Sequence, residues 1–296
     1  MTGPEQGFLL LTSTLADPQR KPLTVSQFRD LAMRVQNTPR DTTLRELNVS
    51  DLQNLGYDSA MAERIFGLLS ATGQLREYLR RAGSCDCHPL TRVSRGYPQV
   101  IRRRLGLDSP GVIWAKGDIT LLQRPAIAVV GSRDMLAENR KFAAEAGRQV
   151  ARQGYVLVSG NARGADKTAQ EAALDAGGSV ISIVADQLLK QPLTRNVLYL
   201  SLDDFDKGFS TQRALQRNYV IHALTDLTIA AQCGLGKGGT WDGIVHNARN
   251  GWSPVCMFAD GSAASEELQN RGIRLISLRE LENLSILAEQ NPLTIL

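Results

Sequence analysis

The strongest constraint on the fold is an alternation between short apolar runs and longer segments with helical spacing, which begins near residue 110. The runs are rich in β-branched residues and span 126–130, 155–158, 180–184, 227–231 and 254–258. Strands that alternate with helices form parallel βαβ units, and because helices cover both faces of such a sheet, its strands can be apolar throughout. The sequence therefore predicts an α/β fold with a doubly wound, mainly parallel sheet of the Rossmann-like type.

The N-terminal region has a different pattern. Up to about residue 80 the apolar positions recur every three or four residues, as at Phe28, Leu31 and Val35, which predicts a small all-helical domain. Within 51–69, Gly56 separates two short amphipathic segments in a helix-turn-helix arrangement. Two interpretations stay open here: a helix-hairpin-helix that contacts DNA, or a packing hairpin of a small SAM-like bundle.

A change in composition marks the boundary between the two regions. Residues 82–107 contain several glycines and prolines and five arginines between Arg92 and Arg104, and the helical spacing is lost there. This segment is predicted to be a linker. We divide the chain into a helical N-terminal domain, residues 1–85, and a Rossmann-like domain, residues 86–296.

Composition restricts the class of partner only weakly. Lys and Arg number 34 against 30 Asp and Glu, and the net charge of +4 suits a polyanion but is common among other proteins. No apolar run approaches the roughly 20 residues needed to cross a bilayer, and no leader-like segment opens the chain. We therefore expect a cytoplasmic protein without a membrane partner.

The four cysteines do not form the dense pattern of a disulfide framework, so reduced thiols are expected. Cys85, Cys87 and His88 form a CxCH cluster, but a structural zinc site usually has a second pair of ligands elsewhere. We therefore predict no metal and no other cofactor. No HExxH, GxSxG or Walker A pattern occurs either, so we predict no catalytic residues.

Two strand-to-helix turns carry residue types that suit phosphate. Beyond the carboxyl ends of parallel strands, glycine permits close backbone approach and helix N-termini offer unpaired N–H groups. Arginine adds a fixed charge and a planar fork for two phosphate oxygens. The residues of these two turns that we predict to bind phosphate are Gly131, Ser132, Arg133, Ser159, Gly160, Arg163 and Gly164.

A third part of the predicted site lies further along the chain. Arg217 and Asn218 precede the strand at 227–231, and a glycine-rich turn follows that strand. Within the turn, Lys237, Gly238, Gly239 and Thr240 complete the predicted phosphate-binding set. Asp166 is predicted to be the N-cap of the helix that begins at Lys167.

The turns IAVVGSR and VSGNARGAD, the helix AQEAAL and the segment RNYVI occur in the order and spacing that resemble the DNA-processing protein family known as DprA or Smf. The resemblance covers about residues 97–258. It implies a non-enzymatic Rossmann-like protein, related to the lysine-decarboxylase-like nucleotide-binding proteins. Such a protein binds single-stranded DNA in a basic pocket, forms a homodimer, protects incoming DNA and helps to load RecA during natural transformation.

The chain also departs from that family's pattern. Gln170 stands where the family usually has histidine, and Tyr219 stands in place of a second arginine. The GKGGT turn, residues 236–240, replaces the usual serine-glycine-serine loop.

Two other functions remain open at this point. The glycine-rich turn also resembles that of lysine-decarboxylase-like nucleotide phosphoribohydrolases, in which Asp242 would stabilise a developing ribosyl cation. Asp242 also fits a purely structural place at a helix N-terminus. Alternatively, the same pocket would sense one small nucleotide. Trp241 is a candidate platform for base stacking, although tryptophan more often packs in a core.

Overall fold

The computed structural model describes residues 1–37 and 47–289. The chain forms two compact units, one from Met1–Tyr97 with Pro110–Ile113 and the other from Pro98–Ser109 with Trp114–Leu296. The first unit therefore extends about a dozen residues beyond the predicted boundary at residue 85 and takes in a short return segment.

The first unit is helical over most of its length, as the apolar spacing predicts. Several of its helices begin at polar N-caps, and Thr2 and Thr24 form capping boxes with the residues three positions on. Gly56 has a φ of +90° in the turn between the third and fourth helices, a conformation that favours glycine. The elements are α1 Gly3–Thr12, α2 Val25–Gln36, α3 Val49–Asn54, α4 Ser59–Ser70, α5 Thr72–Gly83 and β1 His88–Thr91.

The predicted linker region, residues 82–107, contains the junction between the two units after Tyr97, but it is not an irregular connection. The segment contains the strand β1 and a short helix, α6, at Gln99–Leu105. Both elements are shorter than the stretch over which an apolar period can be recognised, so their pattern is hidden among glycines and prolines. The first unit is accordingly not all-helical.

A largely parallel sheet forms the core of the second unit. From β3 onward all the strand pairs are parallel, and β2 pairs with β6 in antiparallel fashion. The order along the sheet is β2-β6-β5-β4-β3-β7-β8-β9. The strands are β2 Val112–Lys116, β3 Ala126–Val130, β4 Val156–Ser159, β5 Ser179–Val184, β6 Val197–Ser201, β7 Leu227–Ala230, β8 Val255–Phe258 and β9 Arg274–Ile276.

All five predicted strands are present within one residue of their predicted bounds, and the α/β fold class is confirmed. Four strands, β1, β2, β6 and β9, were not predicted. β6 is fully buried but short, and its flanks are polar rather than helical. An isolated apolar run of this length cannot be assigned from its spacing alone.

Helices cover the sheet on both faces. Because strand-helix-strand crossovers are right-handed, α7 and α8 lie on one face, and reversal of the strand order at β3 places α9 and α10 on the other. The helices of this unit after α6 are α7 Ala137–Arg152, α8 Ala165–Asp175, α9 Thr211–Leu224, α10 Gly239–Asn250, α11 Ala263–Asn270 and α12 Leu284–Ala288.

A 3₁₀ turn at Leu278–Glu282 precedes α12, and residues 290–296 lie outside the described part of the chain. More important for function, the strand order reverses at β3, which has β4 on one side and β7 on the other. In open α/β sheets ligands bind in the crevice beyond the carboxyl ends of the strands at such a switch point.

Candidate anion-binding site

Three loops meet at the carboxyl edge of the sheet and are tied together through the main chain. The amide of Ser132, after β3, donates to the carbonyl of Gln232, after β7, at 2.9 Å. The carbonyl of Ser132 accepts from the amide of Ala165, which begins α8, at 3.1 Å. The loop after β3, the loop after β7 and the start of α8 therefore form one continuous wall of a cleft, although they come from separate stretches of sequence.

This wall borders two adjoining compartments. The first compartment has a volume of about 590 Å³ and lies over β3 and β7, between the loop after β3 and the glycine-rich turn. The second compartment, about 360 Å³, lies over β4 and β5. The residues that line both are Arg133, Ala162, Phe209 and Arg217.

The structure brings the three predicted arginines to one place. Arg133, Arg163 and Arg217 come from three different segments, and all three line the second compartment. The Arg133 side chain is exposed and makes no hydrogen bond or ion pair with the residues that the structure describes. Arg163 is also exposed and pairs with Asp134 at 2.8 Å. Because both arginines are exposed, and the ion-pair partner of Arg163 is itself an exposed side chain, both guanidinium groups can rotate towards a ligand.

Arg217 differs from the other two because it is buried. Its guanidinium lies 3.6 Å from the carboxylate of Asp166, and each side chain is only 8% exposed. Burial lowers the pKa of Arg217 and raises that of Asp166, while their mutual attraction opposes both shifts. The Nε atom of Arg217 has no hydrogen-bond partner within the described residues.

Asp166 is not the N-cap of α8, contrary to the prediction. Gly164 occupies the cap, and Asp166 lies in the first turn, where its carboxylate accepts hydrogen bonds from the amides of Gly160 and Ala162. The carboxylate thus holds the loop after β4 in shape and supplies the counter-charge of Arg217. A polar residue near a helix start fits either position, so the sequence could not separate them.

Two glycines of this loop are required by close packing. A Cβ atom at Gly160 would coincide with the guanidinium of Arg217. Gly164 has a φ of +87°, and a side chain there would also strike the carbonyls of Ser132 and Arg133. Both glycines therefore shape the wall rather than simply permit a turn.

Ser159 does not reach the site as the sequence predicts. It is fully buried, and its hydroxyl accepts a hydrogen bond from Nε2 of Gln170 at 2.6 Å. Gln170 also lies 3.3 Å from the hydroxyl of Ser182, so the departure at this position forms a polar bridge beneath β4 and β5. Ser132, by contrast, lines the first compartment.

The glycine-rich turn forms the other side of the first compartment. Gly238, with a φ of +88°, is the N-cap of α10, and the helix starts at Gly239. The N-terminal amides of a helix are ready donors to an anion. The side-chain amide of Asn218 donates to the carbonyl of Gly239 at 3.0 Å, and Lys237 and Thr240 complete this side.

Asp242 takes the structural place in α10. Its carboxylate is exposed and accepts a hydrogen bond from the hydroxyl of Tyr219 at 2.9 Å. Asp242 lines neither compartment. Tyr219, the second departure from the family pattern, stacks on His246 and so points away from the pocket. The phosphoribohydrolase alternative assigns the carboxylate at the ligand to Asp242, and this arrangement does not place Asp242 there.

The predicted stacking platform is wrong, and a different aromatic residue lies at the site. Trp241 is only 9% exposed and is covered by the guanidinium of Arg271. Phe209 is 55% exposed and lies between the two compartments. The signal in the sequence was weak: a single phenylalanine just before a helix, outside any apolar run, which is typical of a surface aromatic.

A buried polar cluster lies beneath the first compartment. The Nδ1 atom of His222 is 3.0 Å from the hydroxyl of Thr228, and burial lowers the pKa of His222 to about 3. The imidazole is therefore neutral at physiological pH and adds no charge to the site. Across the described residues, no group of three or more potential ligands could hold a metal ion. No helix among them is long and apolar enough to span a membrane.

Fold and site together define a Rossmann-like protein with an arginine-lined cleft at the topological switch point. The sequence model of the family described as DNA recombination-mediator protein A matches residues 88–276, well over half of the chain. The chain therefore belongs to this family. Its description as a recombination mediator, and the name of its curated relatives as DNA processing proteins, agree with the resemblance noted in the sequence.

Curated relatives support the same assignment. The DNA processing protein DprA of Bacillus subtilis is 37% identical over 79 residues, which cover 26% of this chain and 27% of the relative. The putative DNA processing protein DprA of Mycobacterium tuberculosis is 30% identical over 145 residues, 44% of this chain and 36% of the relative. The matched part thus spans well under half the length of these relatives.

Solved structures confirm the fold. The X-ray structure of DprA from Streptococcus pneumoniae superposes with a TM-score of 0.69 at 21% identity, covering 92% of this chain and 95% of the other. DprA from Helicobacter pylori, whose structure was described for its single-stranded DNA binding mode, gives a TM-score of 0.56 at 24% identity. That match covers 67% of this chain and 93% of the other.

Proposed function

We propose that this protein binds single-stranded DNA through the cleft at the carboxyl edge of its sheet and acts in DNA processing during natural transformation. Within the cleft, Arg133 and Arg163 bind backbone phosphates, and main-chain amides of the glycine-rich turn bind a further phosphate together with Lys237. The proposed function is non-enzymatic, since the cleft binds a strand and breaks no covalent bond.

The observation that carries the proposal is the convergence of three guanidinium groups on the second compartment. Two are exposed and can move to meet a phosphate, while Arg217 is a fixed charge in the wall. Arginines from separate segments that converge on a concave surface are typical of an anion site rather than of a solvated face. The family match and the DNA-binding relative favour a nucleic acid as that anion.

Phe209 supports a strand rather than a duplex as the ligand. Single-strand sites combine a basic groove with aromatic rings on which unpaired bases stack, at about 1–3 kcal/mol per base. An exposed ring between two compartments with phosphate-binding groups supplies that element. Bases in a duplex are stacked on one another and cannot use it.

The test is fluorescence anisotropy of a labelled poly-dT oligonucleotide over a salt series. Binding displaces counterions from the strand, so a plot of the logarithm of the affinity against the logarithm of the salt concentration has a slope of about −0.7 for each phosphate contact on a single strand. We expect single-strand-selective binding that weakens steeply with salt, and Arg163→Ala should weaken it about equally for every sequence. Binding that is insensitive to salt contradicts the proposal.

Arg195→Ala is the matched control. Arg195 is an exposed arginine just before β6, hence at the amino edge of the parallel sheet and opposite the cleft. Its removal makes the same change in net charge, so a loss of affinity with Arg163→Ala alone identifies the cleft. Displacement of the oligonucleotide by a nucleoside monophosphate would instead favour the nucleotide-sensor alternative.

We also propose that the protein protects bound strands, assists the loading of RecA and acts as a homodimer. These roles rest on membership of a recombination-mediator family and on the resemblance of the motifs. The expected results are slower nuclease digestion of bound oligonucleotide, faster RecA filament growth on it, and twice the chain mass by light scattering. A mass equal to that of one chain would contradict the homodimer. Unchanged RecA filament growth would contradict a role in the loading of RecA.

A further inference from the structure

Exposed leucines surround the mouth of the cleft. They come from the loop after β3, the loop after β5, the helix α9 and the glycine-rich turn, and each is between 37% and 65% exposed. We call these four residues the apolar rim: Leu136, Leu193, Leu215 and Leu235. Single exposed leucines are ordinary on a protein surface, but these four come from separate segments and lie around one arginine-lined cleft.

Two members of the apolar rim lie beside the donors of the first compartment. Leu215 lines that compartment, and its Cδ2 atom would lie 3.8 Å from a Cβ atom at Gly239, the first residue of α10. Leu235 is at the tip of the glycine-rich turn, where Gly234 and Lys237 pair across the turn and both line the compartment. Exposed apolar surface is therefore next to the amides that we propose to bind phosphate.

The other two members lie further along the carboxyl edge of the sheet. The amide of Leu136 donates to Oε1 of Gln232 in the wall at 3.0 Å, so the backbone that carries this side chain is held in place. Leu193 comes two residues after Gln191, which lines the second compartment. The apolar rim thus extends along both compartments, and the exposed ring of Phe209 lies between them.

A ligand that fits both features is anionic where it meets the arginines and apolar where it meets the rim. A single strand of nucleic acid has both properties, because it carries a phosphate and the open face of an unpaired base at every nucleotide. A small inorganic anion has no apolar face, and a duplex keeps its base faces stacked inside. Leucine is also one of the side chains that proteins insert between bases when they unstack DNA.

We propose that the apolar rim packs against unstacked bases of bound single-stranded DNA and supplies a part of the affinity that does not depend on salt. This inference rests on the proposed binding of single-stranded DNA. Every base has an apolar face, so the contact stabilises the complex without selecting a sequence. The arginines hold the phosphates, while the leucines make the affinity depend on the presence of bases.

Leu136→Ser, Leu235→Ser and the double variant test the rim by anisotropy with poly-dT over a salt series. Each single variant should lower the affinity roughly threefold, and the double variant roughly tenfold, because apolar surface covered by the bases is lost. The salt slope should stay at its wild-type value, since no phosphate contact is removed. Thermal melting confirms that each variant is folded.

Leu107→Ser is the matched control. Leu107 is 58% exposed and lies three residues after Arg104. The guanidinium of Arg104 donates to the carbonyls of Ala223 and Thr225, just before β7 and hence at the amino edge of the sheet, opposite the cleft. The same loss of an exposed leucine there should leave both the affinity and the salt slope unchanged.

An abasic strand separates base contacts from phosphate contacts. In this oligonucleotide, of the same length as the poly-dT, the deoxyribose phosphates carry no bases. We expect the wild-type protein to bind it with a similar salt slope but roughly tenfold more weakly, because both stacking and rim contacts are lost. Leu136→Ser and Leu235→Ser should bind the abasic strand as the wild-type protein does.

The possible outcomes separate the two proposals. Unchanged affinity of the double variant for poly-dT overturns the role of the rim and leaves single-strand binding in place, as do equal losses with poly-dT and the abasic strand. A double variant that keeps its DNA affinity but has a lower mass by light scattering also overturns it, because the rim is then a contact between copies of the chain. Failure of the wild-type protein to bind either strand removes the proposed function, and this inference with it.

Discussion

The two compartments share Arg133 and Arg217 and differ in the other donors that they offer to the proposed anion. The first adds main-chain amides at the start of α10, which no side-chain substitution removes, and Lys237. The second adds a third guanidinium group, that of Arg163. We therefore expect binding in the first compartment to tolerate side-chain substitution better than binding in the second, which depends more on the buried pair of Arg217 and Asp166 and hence on the stability of the fold.

The largest effect is expected from removing the buried charge. Arg217→Met leaves the Asp166 carboxylate buried without its counter-charge, which should lower the free energy of unfolding by about 3–5 kcal/mol. Urea denaturation measures it. The double variant with Asp166→Asn should recover part of the loss, because the remaining amide is neutral. A loss below about 1 kcal/mol in the single variant would mean that the pair does not tie this compartment to stability.

The next effect concerns the fit between the loop and the same arginine. Gly160→Ala should cost about 2–3 kcal/mol of stability and weaken binding, because the new methyl group displaces the Arg217 guanidinium. Gly67→Ala in α4 is the control. Its Cβ meets no atom within 4 Å, so it should be neutral or stabilising. Equal unfolding midpoints for the two variants would contradict the packing argument.

The third prediction concerns pH and the floor of the first compartment. Burial holds the pKa of His222 at about 3, whereas an unfolded histidine titrates near 6.5. As pH falls below about 6.5 only the unfolded state takes up the proton, so stability is lost, by about 2 kcal/mol at pH 5. His222→Gln should remove this part of the pH dependence. A series of urea denaturations between neutral and acidic pH compares the two slopes.

The smallest effect belongs to the rim of the first compartment. Lys237→Ala removes one mobile charge but leaves the amides of α10 in place, so affinity for poly-dT should fall only about threefold to tenfold. The salt slope should decrease by roughly 0.7, one phosphate contact on a single strand. Anisotropy with Arg195→Ala alongside provides the comparison. A collapse of binding would show that the lysine, and not the main chain, dominates this side.

Much of the second unit could be predicted from the sequence because its strands are uniformly apolar and each is followed by a helix. The bounds of β3 agree with the structure to the residue. β1 and α6 could not be predicted, since each is too short to show a period. Short elements are fixed by their partners in space rather than by their own pattern.

The site shows the same limit. That Arg133 and Arg163 would meet follows from the rule that parallel strands end at one edge, whereas the approach of Arg217, which lies within α9, does not follow from it. Which of the three is buried could not be predicted either, because burial depends on the absence of a side chain at Gly160 and on the counter-charge of Asp166. The inward turn of Ser159 towards Gln170 and the exposure of Phe209 likewise depend on packing between segments distant in sequence.

The packing of Gly160 against Arg217 also sets the order in which this pocket can change over generations. A larger residue does not fit at position 160 while the Arg217 guanidinium fills the space. If the guanidinium is lost first, the Asp166 carboxylate is left buried without its counter-charge. Each single step is unfavourable, so the three positions 160, 166 and 217 should change together or not at all.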